Sequence, residues 1–298
     1  MSGAYSVILM APSLAESAIH AVQVWCEQQG LSLQRQESIE RAGVDGECIR
    51  FDVSATPEWE VPRKEVLTLA TELGVDIVVM SEKEARQTRK LVCFDMDSTL
   101  IQAEVIDELA REWGVYDEVA GITARAMQGE FDFQQSFRLR MGKLKGLPES
   151  TLASIAERLP FMPGVEHLLR VLNDRGYRTA IISGGFTYFA EYLQRRLDFS
   201  EVHANTLSIE DGKVTGEVNL PILDAERKAF ILKEIAEREG FSPSECVAVG
   251  DGANDLKMLG EAGLGVAFHA KPLVREQARA AISTLGLDAL LYLLPNGE

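Results

Sequence analysis

The chain is short of everything that would hold it to a nucleic acid or a membrane. Lysine and arginine total 30 against 46 aspartates and glutamates, a net charge of −16 over 298 residues. Both of those partners need a basic face, so neither is expected. No apolar run approaches the ~20 residues of a bilayer span. Val7 to Met10 is too short for a signal-peptide core and has no basic residues before it, so a cytoplasmic protein is expected. Cysteines are four (Cys26, Cys48, Cys93, Cys246) and histidines four (His20, His167, His203, His269), and neither set has metal-ligand spacing. Reduced, buried thiols suit the same compartment. What is present, 46% hydrophobic and 26% charged residues, describes an ordinary globular protein of two domains, or of one domain carrying an insertion.

Along residues 1–84 the pattern reads strand, helix, strand, strand, helix, strand. The strands are Ser6 to Met10, Leu31 to Gln34, Cys48 to Val53 and Val75 to Met80. One helix carries Ile19, Val22 and Trp25 and ends near Gly30; the other opens at Pro62 and runs through Leu73. That order is the ferredoxin-like α+β arrangement. The domain looks like a regulatory module of the ACT type, although Ala11-Pro12-Ser13 stands where an effector-binding glycine turn would be. A dimer-forming role for it is as open as metabolite sensing. The polar stretch Ser81 to Lys90 reads as the linker, with some helical character, to a second domain at 85–298.

The second domain begins with an apolar strand, Leu91 to Phe94, that ends in Asp95-Met96-Asp97-Ser98-Thr99. In an open α/β sheet the reactive groups stand just beyond the carboxyl ends of the strands. Taken alone, Asp95 and Asp97 read either as an Asx turn or as neighbouring carboxylates that need a cation, of which Mg²⁺ suits best. Helical stretches at Ala103 to Trp113, Phe133 to Leu144 and Leu152 to Leu159 then interrupt the strand-helix alternation and read as a cap inserted at about 103–160. The α/β pattern resumes with a helix at Val165 to Arg175, a strand at Arg178 to Ile182, and Ser183-Gly184-Gly185 opening a further helix. Two extended runs flank Asp211-Gly212, a helix covers Leu223 to Glu239, and strands lie at Cys246 to Val249 and Leu264 to Phe268. A closing helix is expected from Arg275 onward.

Two more stretches join the first. Ser183 and its glycines offer a hydroxyl and backbone N–H groups to an anion, or make an ordinary turn. Gly250-Asp251-Gly252-Ala253-Asn254-Asp255 again brings acid to the end of an apolar strand. In sequence and order these resemble the motifs of the haloacid-dehalogenase-like phosphohydrolases. The resemblance covers residues 91–294 and implies a Rossmann-like α/β core with an inserted cap and a bound Mg²⁺. It implies further that Asp95 attacks phosphorus and that Asp97 is the proton donor and then the base. Asp95, Asp97 and Asp251 would ligate the metal, Ser183, Gly184 and Lys228 would hold the phosphoryl group, Asn254 would reach substrate, and Asp255 would support Lys228 or the metal shell.

The cap is expected to choose the substrate. Arg140 lies seven residues after Phe133 and three after Phe137, on the apolar face of its helix, where it either snorkels to water or meets an anion. A carboxylate suits its planar fork. Glu104 either favours a helix start or receives an ammonium group. Together they imply an amino acid that carries the phosphate, with Met127 and Phe133 lining the lid. The resemblance sharpens on these residues to the branch of the family that hydrolyses O-phospho-L-serine. Transfer of the phosphoryl group to another amino-acid hydroxyl, such as that of homoserine, and an inactive amino-acid sensor are the alternatives.

Overall fold

The computed structural model describes residues 3–295. The N-terminal part consists of β1 (Gly3–Ala11), α1 (Glu16–Gln28), β2 (Ser32–Ser38), β3 (Glu47–Ala55), α2 (Arg63–Leu73) and β4 (Asp76–Ser81). Its strands form one antiparallel sheet in the order β2-β3-β1-β4, a ferredoxin-like α+β unit. The side chains of β1 alternate, and both faces are dry. Val7, Leu9 and Ala11 pack in one core with Val22 and Trp25 of α1 and Val66 of α2, while Ile8 and Met10 join the core of the second domain. β4 does the same with Ile77 and Val79 against Val78 and Met80. A sheet covered on both sides explains why these strands read as unbroken apolar runs.

After a short helix, α3 (Glu82–Ala85), come β5 (Leu91–Phe94) and four cap helices, α4 (Val105–Trp113), α5 (Tyr116–Met127), α6 (Phe133–Lys143) and α7 (Thr151–Arg158). The chain continues through α8 (Val165–Asp174), β6 (Arg178–Phe186), α9 (Thr187–Leu197), β7 (Glu201–Asn205), β8 (Leu207–Glu210), β9 (Lys213–Val218) and α10 (Ala225–Glu239). It closes with β10 (Cys246–Gly250), α11 (Leu256–Glu261), β11 (Leu264–Phe268), α12 (Pro272–Gln277) and β12 (Ala280–Ile282). Six of these strands form a parallel sheet in the order β12-β11-β10-β5-β6-β7. β5 starts the domain yet lies in the middle, so the connections diverge on either side of it, and a ligand crevice belongs at its carboxyl end. Leu91, Val92 and Phe94 are fully buried. Each contributes about 1.5–3 kcal/mol, which offsets part of the cost of bringing an acid to the same depth.

The two sheets meet edge to edge, β4 against β12. Asp76 accepts hydrogen bonds from Ser283 N (2.7 Å), Thr284 N (3.0 Å) and Thr284 Oγ1 (2.7 Å). Arg279 pairs with Glu84 through two 2.7 Å contacts and donates to the Val79 carbonyl. Tyr292 Oη–H donates to Gly46 O.

The structure departs from the sequence reading in three places, and the polar linker keeps the helical character read for it. α5 went unread because Gly121 and Thr123 break an apolar stripe that consists only of Val119 and Ile122. The polar linker holds α3, nucleated by a Ser81/Glu84 capping box. β6 runs on through Ser183, Gly184 and Gly185 as an irregular step in its pairing with β7, and α9 starts only at Thr187. The expected closing helix from Arg275 stops at Gln277 and is replaced by β12 and a 3₁₀ turn over Leu287–Tyr292, because β11 offers an open parallel edge for Ala280–Ile282. Among the described residues no helix is long and apolar enough to cross a membrane.

Candidate active site

Register places the chemistry. Phe94 pairs with Val249 on one side and with Ile181 on the other. The next residues, Asp95, Gly250-Asp251 and Ile182-Ser183, therefore reach the same rim. Asp95 N–H donates to Val249 O at 2.9 Å, which fixes the carboxyl-bearing backbone. A Cβ on Gly250 would stand 2.5 Å from the Asp255 carboxyl carbon, so only glycine lets that side chain lie against the strand end.

One buried cation organises the acids. Lys228, on the first turn of α10 and fully buried, places Nζ 2.7 Å from Asp95 Oδ1 and 2.6 Å from Asp255 Oδ1. Burial alone would lower its pKa; the two carboxylates outweigh it and hold it above the ordinary lysine value. The second oxygen of Asp255 accepts the Gly252 N–H at 3.0 Å, so both are engaged. Asp95 and Asp251 have no such cover. Burial, then Asp255, pushes Asp95 up to about 7 even with Lys228 beside it. Burial, then Asp95 and Asp255, pushes Asp251 up to about 8.

Carboxylate oxygens of Asp95, Asp251 and Asp255 all lie within 4.8 Å of one another. An all-oxygen donor set on two raised acids fits a hard divalent cation. Asp255 stands in this group with both oxygens already engaged by Lys228 and the Gly252 N–H, while the Asp97 side chain lies outside it. The reason is local: the chain turns after β5, with Ser98 at φ +58°, and Asp97 faces Gly185 instead. Its Oδ1 is buried without a partner, and burial, then Glu104 and Asp95, holds it well above the carboxylate range. A carboxyl that holds its proton more firmly than an ordinary one is able to serve as a general acid.

The Ser183-Gly184-Gly185 turn is built opposite. Ser183 Oγ accepts the Gly185 N–H at 2.9 Å, which leaves its own hydroxyl proton free to donate. Asn205, buried at the end of β7, donates to the Gly184 carbonyl and accepts the Leu223 N–H, both at 2.8 Å, and so ties this turn to the segment that leads into α10. Above it, a Cβ on Gly184 would lie 3.4 Å from Phe133 Cζ. Phe133 stacks on Phe137, which meets Phe186 of the core. Arg140 forms no ion pair among the described residues and its Nε is buried without a partner, with Glu104, Asp107 and Asp97 as its acidic surroundings. Glu104 Oε1 accepts the Ser98 hydroxyl at 2.9 Å. Met127 is the outlier at 72% exposed, on the last turn of α5. Asn254 lies in the 3₁₀ turn after Gly252. A cavity of about 1110 Å³ borders this rim at Ser98 and opens between Gly43 and Asp45 of the N-terminal domain and His269 of the core.

Sequence reading missed Asn205, and also Asp224 with Gln134, which join the cap to the core at 2.8 Å. Asp224 carries a helix-start signal; a lone amide at a strand end, as Asn205 is, carries none.

An open parallel sheet with an aspartate at the tip of its central strand, a lysine-braced acid cluster and a helical insert defines a class of α/β hydrolases. The chain belongs to the haloacid dehalogenase-like hydrolase family, whose model matches residues 89–263. It is 42% identical over 288 residues to a phosphoserine phosphatase of Streptomyces coelicolor, covering 97% of this chain and 70% of that one. A crystal structure titled probable phosphoserine phosphatase from Vibrio cholerae superposes with a TM-score of 0.77 at 37% identity, covering 97% and 86% of the two chains. One titled a phospho-aspartyl intermediate analogue of phosphoserine phosphatase gives 0.66 at 41% identity, over 70% of this chain and all of the other.

Proposed function

We propose that this chain is a Mg²⁺-dependent phosphomonoesterase that hydrolyses O-phospho-L-serine to L-serine and phosphate, the last step of serine biosynthesis. The observation that supports the substrate choice is Arg140, a cap guanidinium that forms no ion pair among the described residues and whose Nε is buried without a partner. A substrate carboxylate completes it, and Glu104 takes the ammonium group. The relatives named for phosphoserine support the same reading.

Asp95 attacks phosphorus; the ester oxygen leaves with the proton of Asp97. Asp97, now a carboxylate, takes a proton from water as that water attacks the aspartyl-phosphate, which frees Asp95 and phosphate. Ser183 and the Gly184 turn hold phosphoryl oxygens, Lys228 offsets their charge, and Asn254 contacts the substrate. Asp95 and Asp251 would hold Mg²⁺, with Asp97 adjoining, and the ion would neutralise charge on the transferring group. Four free cysteines, all buried, suit the cytoplasm as the compartment. An ACT-like role for the N-terminal domain, including pairing of two copies through it, belongs to the same proposal.

The test is a panel of phosphate esters with and without EDTA. Phosphate release from O-phosphoserine that requires Mg²⁺ and exceeds release from esters lacking the carboxylate is expected. Formation of phosphohomoserine on adding homoserine would favour the transferase, and no turnover would favour the sensor.

A further inference from the structure

Beside the Ser98–Glu104 hydrogen bond and the backbone hydrogen bonds that join residues 146–149 to the β8–β9 hairpin, the cap meets the core through a polar side-chain pair that the reaction does not use. Gln134, the second residue of α6, donates from Nε2 to Asp224 Oδ2 at 2.8 Å. Among the described residues no other hydrogen bond or ion pair between side chains joins helices α4–α7 to the core. Both residues are half-buried.

Their neighbours give the pair its meaning. Phe133, one residue before Gln134, is the ring that sits over Gly184. Leu223, one residue before Asp224, is held by the amide of Asn205, whose other arm holds the Gly184 carbonyl. Asp224 also caps α10 through Oδ1 and the Arg227 N–H at 3.1 Å, one turn ahead of Lys228. Gln134 therefore docks the cap on the short segment that connects the anion turn to the buried lysine. α6 carries Arg140 two turns further on, so the angle at which α6 sits fixes where that guanidinium points.

From this we infer that Gln134 is a positioning residue: by docking on Asp224 it seats α6 against the core and places Phe133 and Arg140 over the phosphoryl site. This rests on the phosphoserine reading for the identity of what Arg140 meets. It adds a determinant of affinity on a residue that need not touch substrate. Asp224 itself is the poorer one to change, because its loss also uncaps α10. Among the described residues the Gln134 side chain has no second hydrogen-bond partner, so its substitution isolates the contact.

Gln134→Glu turns the donor into a carboxylate facing Asp224 and opens the contact; Gln134→Lys keeps a donor and restores it. In Gln134→Glu the KM for O-phosphoserine rises about 3- to 10-fold, as for one lost hydrogen bond of ordinary net strength between half-buried groups, with kcat within about twofold. The amides of residues 133–143 exchange faster with solvent in Gln134→Glu and as wild type in Gln134→Lys, and the melting temperatures of all three proteins agree closely. An unchanged KM and unchanged exchange in Gln134→Glu, or a Gln134→Lys protein as impaired as Gln134→Glu, would overturn the inference. If the wild type fails to turn over O-phosphoserine, the functional reading falls and amide exchange alone decides on the docking contact.

Discussion

Two aspartates of this protein are buried to the same depth at strand ends and have opposite surroundings. Asp76, 3% exposed, begins β4 at the seam between the domains and accepts three hydrogen bonds. Asp95, 4% exposed, follows β5 and faces two further carboxylates, with Lys228 as its counterweight. A buried acid whose oxygens are occupied by donors is part of the framework; one left in repulsive company keeps its oxygens available for a cation and for phosphorus. Burial is common to both sites; what separates Asp76 from Asp95 is three donors on the one, against a lysine shared with Asp255 and two neighbouring carboxylates on the other.

The sharpest way to break that contrast is Asp95→Asn. Phosphate release should fall by about a thousandfold or more, while the melting temperature holds or rises because a repulsive charge is gone. Turnover near the wild-type level, followed by phosphate release with Mg²⁺ present, would remove Asp95 from the chemistry. Arg140→Ala should come next, losing about 100-fold in kcat/KM for O-phosphoserine and far less for an ester without a carboxylate. Equal losses on both esters would count against a carboxylate partner.

Asp76→Ala should do the reverse of Asp95→Asn. It strands three donors at the seam and costs about 3 kcal/mol, lowering the thermal midpoint by roughly 5–10 °C, with kcat/KM per folded molecule unchanged. A fall in activity without a fall in stability would erase the distinction between the two sites. The smallest effect concerns pH. Asp95 and Asp251 have folded values of about 7 and about 8, above the ordinary 3.8. Their protonated forms therefore favour the folded state, a contribution complete below about pH 4 and lost as pH rises through 7 to 8. With EDTA the melting temperature should decline from pH 6 to pH 9, and Mg²⁺ should flatten that slope and release protons on binding. Calorimetry in buffers of different ionisation enthalpy counts those protons; a pH-independent EDTA curve would contradict the raised values.

Much of the site could be read before any coordinates. Asp95, Ser183 and Asp251 each stand just past an apolar run that has to be a buried strand, and parallel strands in register bring the residues at their tips to one edge. The cap helices with a strong apolar face, α4 and α7, were legible for the same reason, while α5, with only two buried apolar positions, was not. The C-terminal strand β12 is three residues of alanine and isoleucine whose conformation is decided by the open edge of β11, a partner that no local propensity encodes.

By itself, then, the order of residues determined the two kinds of sheet, the strand tips that bear acid and the insertion that covers them, because side-chain periodicity and turn chemistry act within a few positions. Only the tertiary structure decided which three carboxylates stand together, that Asp97 turns toward Gly185, and that Gln134 meets Asp224 ninety residues away. Those outcomes depend on which groups find donors or cations once water is gone, and that is settled between segments far apart in the chain.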